Sequence, residues 1–249
     1  MRVKNGFGGR VLRTLPAAVF WLLVWQLAAG AVNQTVVLSP PLEVIRTLIR
    51  LMGSGGFWLT LAFSFLRILS GYLIGILLGL LLALLTRWSR IARSLISPFM
   101  SVLKATPVAS FIILLLFMAR NQHIPVLIAA IIVLPLVWAN VTKGLEETDR
   151  GLLEIGSVFD LSAGWQIRHI YGPSVKAYFL PAAVTALGLA WKAGVAAEVL
   201  AAPEHSVGGM LYRAKLYLET PEMLAWTLCV ILISMGLEQL LTRWMKRMN

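Results

Sequence analysis

Charge is scarce in this chain of 249 residues: Asp, Glu, Lys and Arg make up 13%, about half the share in a typical soluble domain. Acids are scarcest, eleven against twenty-two Lys and Arg, which leaves a net charge of +11. Cysteine is nearly absent. Cys229 stands alone in an apolar run, which excludes an intrachain disulfide framework and a CxxC zinc site. His123, His169 and His205 fall in different segments, so the sequence offers no metal cluster and no cofactor site. A GxxxxGKS/T phosphate loop is also missing, and with it ATP hydrolysis by that route. What abounds is apolar: 59% of residues are hydrophobic and the mean hydropathy is +0.81. A soluble fold of this size cannot hide so much apolar surface, so the composition points to an integral membrane protein, expected from its long apolar runs to be all-α.

Lipid offers the backbone no hydrogen-bond partners, so a crossing segment needs roughly 20 apolar helical residues. Six stretches meet or approach that length. They are Leu15 to Val32, a second with the clean run Ile68 to Thr86, a third around Thr106 to Ala119, then Ile124 to Thr142, Tyr178 to Leu200 and Met223 to Thr242. The third follows Pro98, Lys104 and Pro107 and is expected to begin bent. The first resembles a signal peptide in its basic flank, but it exceeds an h-region and no clean A-x-A site follows it, so it is read as retained. Between spans one and two, Leu42, Val44, Ile45, Leu48, Ile49 and Met52 recur at helical spacing after Pro40 and Pro41, which predicts an interfacial amphipathic helix.

Basic residues set orientation. Arg2, Lys4, Arg10, Arg13, Arg87, Arg90, Arg93, Lys104, Lys143, Arg150, Arg168, Lys176, Arg243, Lys246 and Arg247 fall in alternate segments, fifteen against five or six in the others. Both termini are therefore expected in the cytoplasm, and the charge marks topology rather than a nucleic-acid footprint. Residues 1–56 would form a cytoplasmic N-terminal segment, the first span and the interfacial helix. Residues 57–249 would form a five-helix core with a cytoplasmic loop at 143–177.

Within the second span, Gly71, Gly75 and Gly79 leave a smooth stripe on which another helix can pack closely; the bland alternative is that glycine is simply common in membrane helices. Arg67 is expected to snorkel from the edge of that span. Lys192 lies deeper, about 21 Å along the fifth span, where a charge costs about 2.5–3.5 kcal/mol unless it meets water, a partner or a pathway. Six residues separate it from Glu198, which sets the two side chains about 120° apart and argues against an intrahelical pair. Three readings stay open for Lys192: an ion pair with another helix or subunit, snorkelling, or a positive lining for an anion. Glu198 is expected at a solvated outer rim.

The loop at 143–177 holds five of the eleven acids. It reads as two short amphipathic helices, Leu152 to Leu161 and Trp165 to Tyr171, joined by Ser162, Ala163 and Gly164, with Ser162 as a cap. Leu153, Ile155, Val158 and Phe159 would press inward while Glu154 and Asp160 stay available to a partner.

At this loop the chain resembles the membrane subunits of ATP-binding-cassette importers, the binding-protein-dependent permeases with the type I fold. Their loop pattern is Glu-Ala-Ala, a Gly four residues later, then an apolar residue, Leu and Pro, with Glu and Pro nineteen apart. Glu154, Ile170 and Pro173 keep that spacing, whereas Ile155 and Gly156 replace the alanines, Asp160 replaces Gly and Gly172 replaces Leu. LSPP, RILSGYLIGILLGLLLAL, KATPVASFIILLLF and GLAWKAGVAAEVL extend the likeness toward the nitrate, sulfonate and taurine subgroup. The resemblance implies a permease in the bacterial inner membrane that imports a small anionic solute by alternating access. It implies a second permease copy, two ATPase subunits that bind ATP and Mg, and an extracytoplasmic solute-binding protein. Glu154, Gly156, Asp160, Gly164, Ile170 and Pro173 would then belong to the ATPase-coupling loop, with Gly164 allowing its turn, and Lys192 and Glu198 would lie along the solute path. An ion-coupled secondary transporter is the alternative; it would show paired broken helices in repeated halves, which the sequence lacks.

Overall fold

Lipid-facing backbone must bond to itself, and the computed structural model, which describes residues 7–248, is helical throughout with no strand among the described residues. Arg2 and Lys4, counted above toward orientation, lie outside them. The helices are α1 (Phe7–Val32), α2 (Pro41–Met52), α3 (Gly55–Trp88), α4 (Arg90–Ala105), α5 (Val108–Met118), α6 (Ile124–Glu146), α7 (Arg150–Val158), α8 (Ala163–Gln166), α9 (Gly172–Ala201), α10 (Val207–Leu216) and α11 (Thr220–Met248). Four helices are long and apolar enough to cross a membrane, and a bent pair, α4 with α5, brings the number to five.

Each break has a local cause. Pro41 opens α2, where its missing N–H costs nothing, and Glu43 and Arg50 sit at the ends that the helix dipole favours. Ser89 begins α4 by accepting from the Ala92 N–H at 3.1 Å. Thr106 precedes Pro107 and is held extended, at φ −78° and ψ 129°, so α4 must stop there. The chain resumes as α5 at 102° to α4. The expected bend at the third span is thus present, while α4 is a distinct helix that the sequence reading had not separated.

By contact the chain divides into two units, one taking in the chain up to Trp58 with Met210–Cys229, the other Leu59–Gly209 and the chain from Val230 onward. In the first, Trp25 donates its indole N–H to the Ser39 carbonyl at 3.1 Å, the Thr220 hydroxyl donates to the Val36 carbonyl, and Phe57 stacks on Trp226 with ring centroids 4.8 Å apart. Charged groups of α2 (Glu43, Arg46, Arg50) and of the start of α11 (Glu222) line a polar cavity of about 400 Å³ in this unit.

The second unit is organised by α3, α6 and α9. A Cβ added at Gly75 would come within 2.7 Å of Val133 Cβ and 2.9 Å of the Ala130 carbonyl; at Gly79 it would come within 2.8 Å of Val137 Cβ. Gly71 meets the Val126 carbonyl and Ala129 in the same way. Each step of one turn on α3 matches one turn forward on α6, so the two helices run parallel. The intervening α4–α5 pair must therefore carry the chain back from the end of α3 to the start of α6. α9 runs the other way: Gly194 abuts Ile68 and the Tyr72 hydroxyl donates to the Ala183 carbonyl at 3.0 Å. Ile112, Ile124, Ile128, Ala197 and Ala201 close one end of this core.

Overpacking a close helix contact costs about 1–3 kcal/mol. Gly75→Val should therefore lower the thermal unfolding midpoint in detergent by several degrees, whereas Gly30→Val, with open space around it, should leave it in place.

Candidate functional site

The hairpin at 149–173 is built from short-range rules. Asp149 caps α7 by accepting from the Gly151 N–H at 2.8 Å, and Ser162 caps α8 by accepting from the Trp165 N–H at 3.4 Å. The reversal falls at Asp160, which takes a left-handed conformation at φ +48°. Asp tolerates that region better than most residues, so the chain turns where the family pattern has Gly. The turn was expected at Ser162 to Gly164. Gly164 instead lies inside the first turn of α8, with nothing within 4 Å of its missing Cβ.

The second expected helix is not a separate element. α8, a π turn at Ile167–Tyr171 and α9 form one helix of 39 residues, Ala163–Ala201. Pro173 lacks the N–H that would bond the His169 carbonyl, and the widened turn before it absorbs the missing link, with Gly172 N–H bonding the Ile167 carbonyl. Gly156 is buried against this turn, its missing Cβ 3.5 Å from Gln166 and from Ile170 Cδ1, and Ile170 is itself buried. Gln166 also donates to the Leu161 carbonyl at 3.0 Å. These contacts clamp α7 to the long helix.

The apolar side chains of α7 do not all press inward as expected. Ile155, Val158 and Phe159 are 52%, 77% and 71% exposed, and Leu152 is exposed beside them. The inward contact is made by the Gly156 backbone, and the apolar stripe faces out next to the exposed Glu154. An exposed apolar stripe on a polar hairpin marks a surface for a protein partner or for the membrane. The sequence signal for it was the 152, 155, 159 spacing, which gives α7 an apolar face on the side away from Gly156.

At the opposite end of α9 the structure corrects the reading of Glu198. It is fully buried, not at a solvated rim. Its Oε2 accepts from the Ser64 hydroxyl at 2.7 Å and the Gly208 N–H at 3.2 Å, and Ser64 Oγ in turn accepts from the Val207 N–H at 2.8 Å. Glu198 and Ser64 thus supply from α9 and α3 the cap that α10 needs. A Cβ on Gly208 would run into Glu198 and the Val199 backbone. Glu198 Oε1 has no hydrogen-bond donor and faces Arg67 Nη1 at 3.5 Å. Arg67 does not snorkel: it donates to the carbonyls of Glu204 at 2.6 Å and His205 at 3.1 Å. This latch joins α3, α9 and the 202–206 turn, where Ala202 and His205 are left-handed at φ +42° and +46°.

Lys192 is not part of the latch. Its Nζ lies 3.9 Å from Glu238 Oε1 on α11, in a pair whose side chains are 64% and 42% exposed. Of the three readings left open, the structure shows an ion pair with another helix.

Residues 75–249 match the family described as binding-protein-dependent transport system inner membrane component, and the chain belongs to that family. It is 27% identical over 251 residues to an ABC transporter permease protein of Brucella abortus (strain 2308), covering 98% of both chains. It is 30% identical over 208 residues to the aliphatic sulfonates transport permease protein SsuC of Escherichia coli (strain K12), covering 83% of this chain and 78% of that one. Its fold matches a solved amino acid ABC transporter crystallised with histidines, with a TM-score of 0.62 at 18% identity over 83% of this chain and 96% of that one. The fold is that of the type I importer permeases.

Removing one partner of a buried pair costs about 3–5 kcal/mol because the other charge stays buried and unpaired. Glu198→Ala should lower unfolding stability by that order, and pairing it with Arg67→Met should recover part of the loss in a double-mutant cycle. At the hairpin, Asp160→Val should destabilise the left-handed turn by about 1–2 kcal/mol and raise amide exchange at 156–162, while Asp160→Gly should not.

Proposed function

We propose that this chain is the membrane subunit of an ATP-driven importer for a small anionic solute, with six spans, both termini in the cytoplasm and the hairpin at 149–173 as the docking lever for a separate ATPase. The observation that carries this reading is the exposed apolar stripe of Leu152, Ile155, Val158 and Phe159 beside Glu154, on an element clamped to the long Ala163–Ala201 helix. ATP and Mg would be held by the ATPase, whose closure would swing the hairpin and α9 together in alternating access. Two copies of the permease in the bacterial inner membrane, two ATPases and an extracytoplasmic solute-binding protein complete the assembly.

Support for an anion comes from the sulfonate permease among the relatives and from Lys192, a partly exposed cation deep in α9. Glu198 holds the outer latch rather than contacting solute in this arrangement.

Copurification tests the assembly: the wild-type chain should bring down an ATPase, and Phe159→Asp should lose it while the permease still inserts. Recovery of the permease without an ATPase under every nucleotide condition would exclude the lever. In vesicles, Glu154→Lys should leave ATP hydrolysis running while uptake falls at least tenfold. Lys192→Leu should reduce uptake of an anionic solute and leave ATPase association unchanged; uptake driven by an ion gradient without ATP would instead favour a secondary carrier.

A further inference from the structure

A cavity of about 490 Å³ lies between the end of α3, the end of α6 and the π turn, lined by Leu84, Arg87, Trp88, Leu145, Ile167 and Tyr171 among others. Its size falls within the roughly 300–1,000 Å³ of ligand sites. Most of its wall is apolar, with one fixed charge, Arg87. Three nearby cations are engaged: Arg93 pairs with Glu146, Lys104 lies over Trp138 at 5.9 Å and Lys143 over Tyr178 at 5.7 Å; Arg90 is not, among the described residues, but it lies outside the lining. Among the described residues Arg87 has no hydrogen-bond or ion-pair partner.

Depth says what such a site would take. The clean apolar run of α3 ends at Thr86, so Arg87 and the exposed Trp88 mark the headgroup level, where Trp collects and a cation meets phosphate. Leu84, one turn before Trp88, lies at acyl depth. A soluble anion would waste the apolar wall, and a neutral acyl chain would leave Arg87 unmatched. A molecule with both an anionic head and a hydrocarbon tail satisfies the whole lining.

We propose that this cavity binds an anionic phospholipid of the cytoplasmic leaflet, the leaflet assignment resting on the orientation proposed above. Its headgroup bonds Arg87, and its acyl chain lies along Leu84, Leu145 and Ile167. Ile167 and Tyr171 belong to the π turn that joins the hairpin to α9. An occupant therefore braces the one wide turn in the long helix, and the lipid becomes part of the coupling element.

The test uses the purified permease with any copurifying partners in nanodiscs of phosphatidylcholine with or without phosphatidylglycerol, followed by native mass spectrometry. Wild type should retain phosphatidylglycerol several-fold over phosphatidylcholine. Arg87→Gln should abolish that preference, Arg90→Gln, outside the lining, should keep it, and Ala163→Trp, which fills the cavity, should reduce retention of both lipids. Oleate offered instead should be retained less than phosphatidylglycerol, separating a lipid headgroup from a free fatty acid. Equal retention of the two lipids by wild type, an unchanged preference in Arg87→Gln, or capture of a second permease copy by a photocrosslinker at position 88 would each overturn the proposal. Retention is read without ATP, and sidedness is read separately by labelling Trp88→Cys from either face of sealed vesicles, so loss of the importer reading or of its orientation is distinguishable from loss of the lipid site.

Discussion

Backbone approaches backbone along Gly71, Gly75 and Gly79, and a side chain at any of the three would push α3 away from α6. Between membrane helices, where lipid is as apolar as leucine, close packing of this kind supplies much of the attraction. The contact also sets direction. Because α3 and α6 run parallel, the chain has to return between them, and the bent α4–α5 pair is the segment that does so. The antiparallel α9 then fills the groove that the parallel pair leaves, with Ile68 and Ala183 as contact points.

The long helix Ala163–Ala201 carries polar devices at both ends. One end bears the α7 hairpin, clamped through Gly156 and Ile170; the other bears Glu198, clamped to Ser64, Arg67 and the start of α10. A helix is stiff along its length, so in the proposed cycle a displacement of the hairpin reaches the latch. The π turn is the exception to that stiffness. Its position beside Pro173 and against the cavity makes it the place where bending and lipid contact meet.

Charge inside the membrane is used sparingly. Arg67 and Glu198 offset each other's desolvation and satisfy turn carbonyls and helix N–H groups that lipid would leave bare. Lys192 and Glu238 lie farther apart and more exposed.

Much of this was legible in the chain itself. Apolar runs located the four helices, or five with the bent pair, that are long and apolar enough to cross, because hydropathy acts residue by residue; the glycine spacing marked a packing face because three residues one turn apart share a side, and the Thr106–Pro107 step announced a break because proline restricts its predecessor. In the hairpin the Ser162 cap was readable for the same local reason, whereas the turn at Asp160 and the π turn before Pro173 were not. Tertiary structure decided what depends on distant neighbours. The burial of Glu198 follows from Ser64, 134 residues away in sequence, and the partner of Lys192 comes from α11. The outward face of α7 follows from which side the small Gly156 can press against Ile170. No local pattern encodes those meetings, since each is fixed only when separate helices share one packed volume.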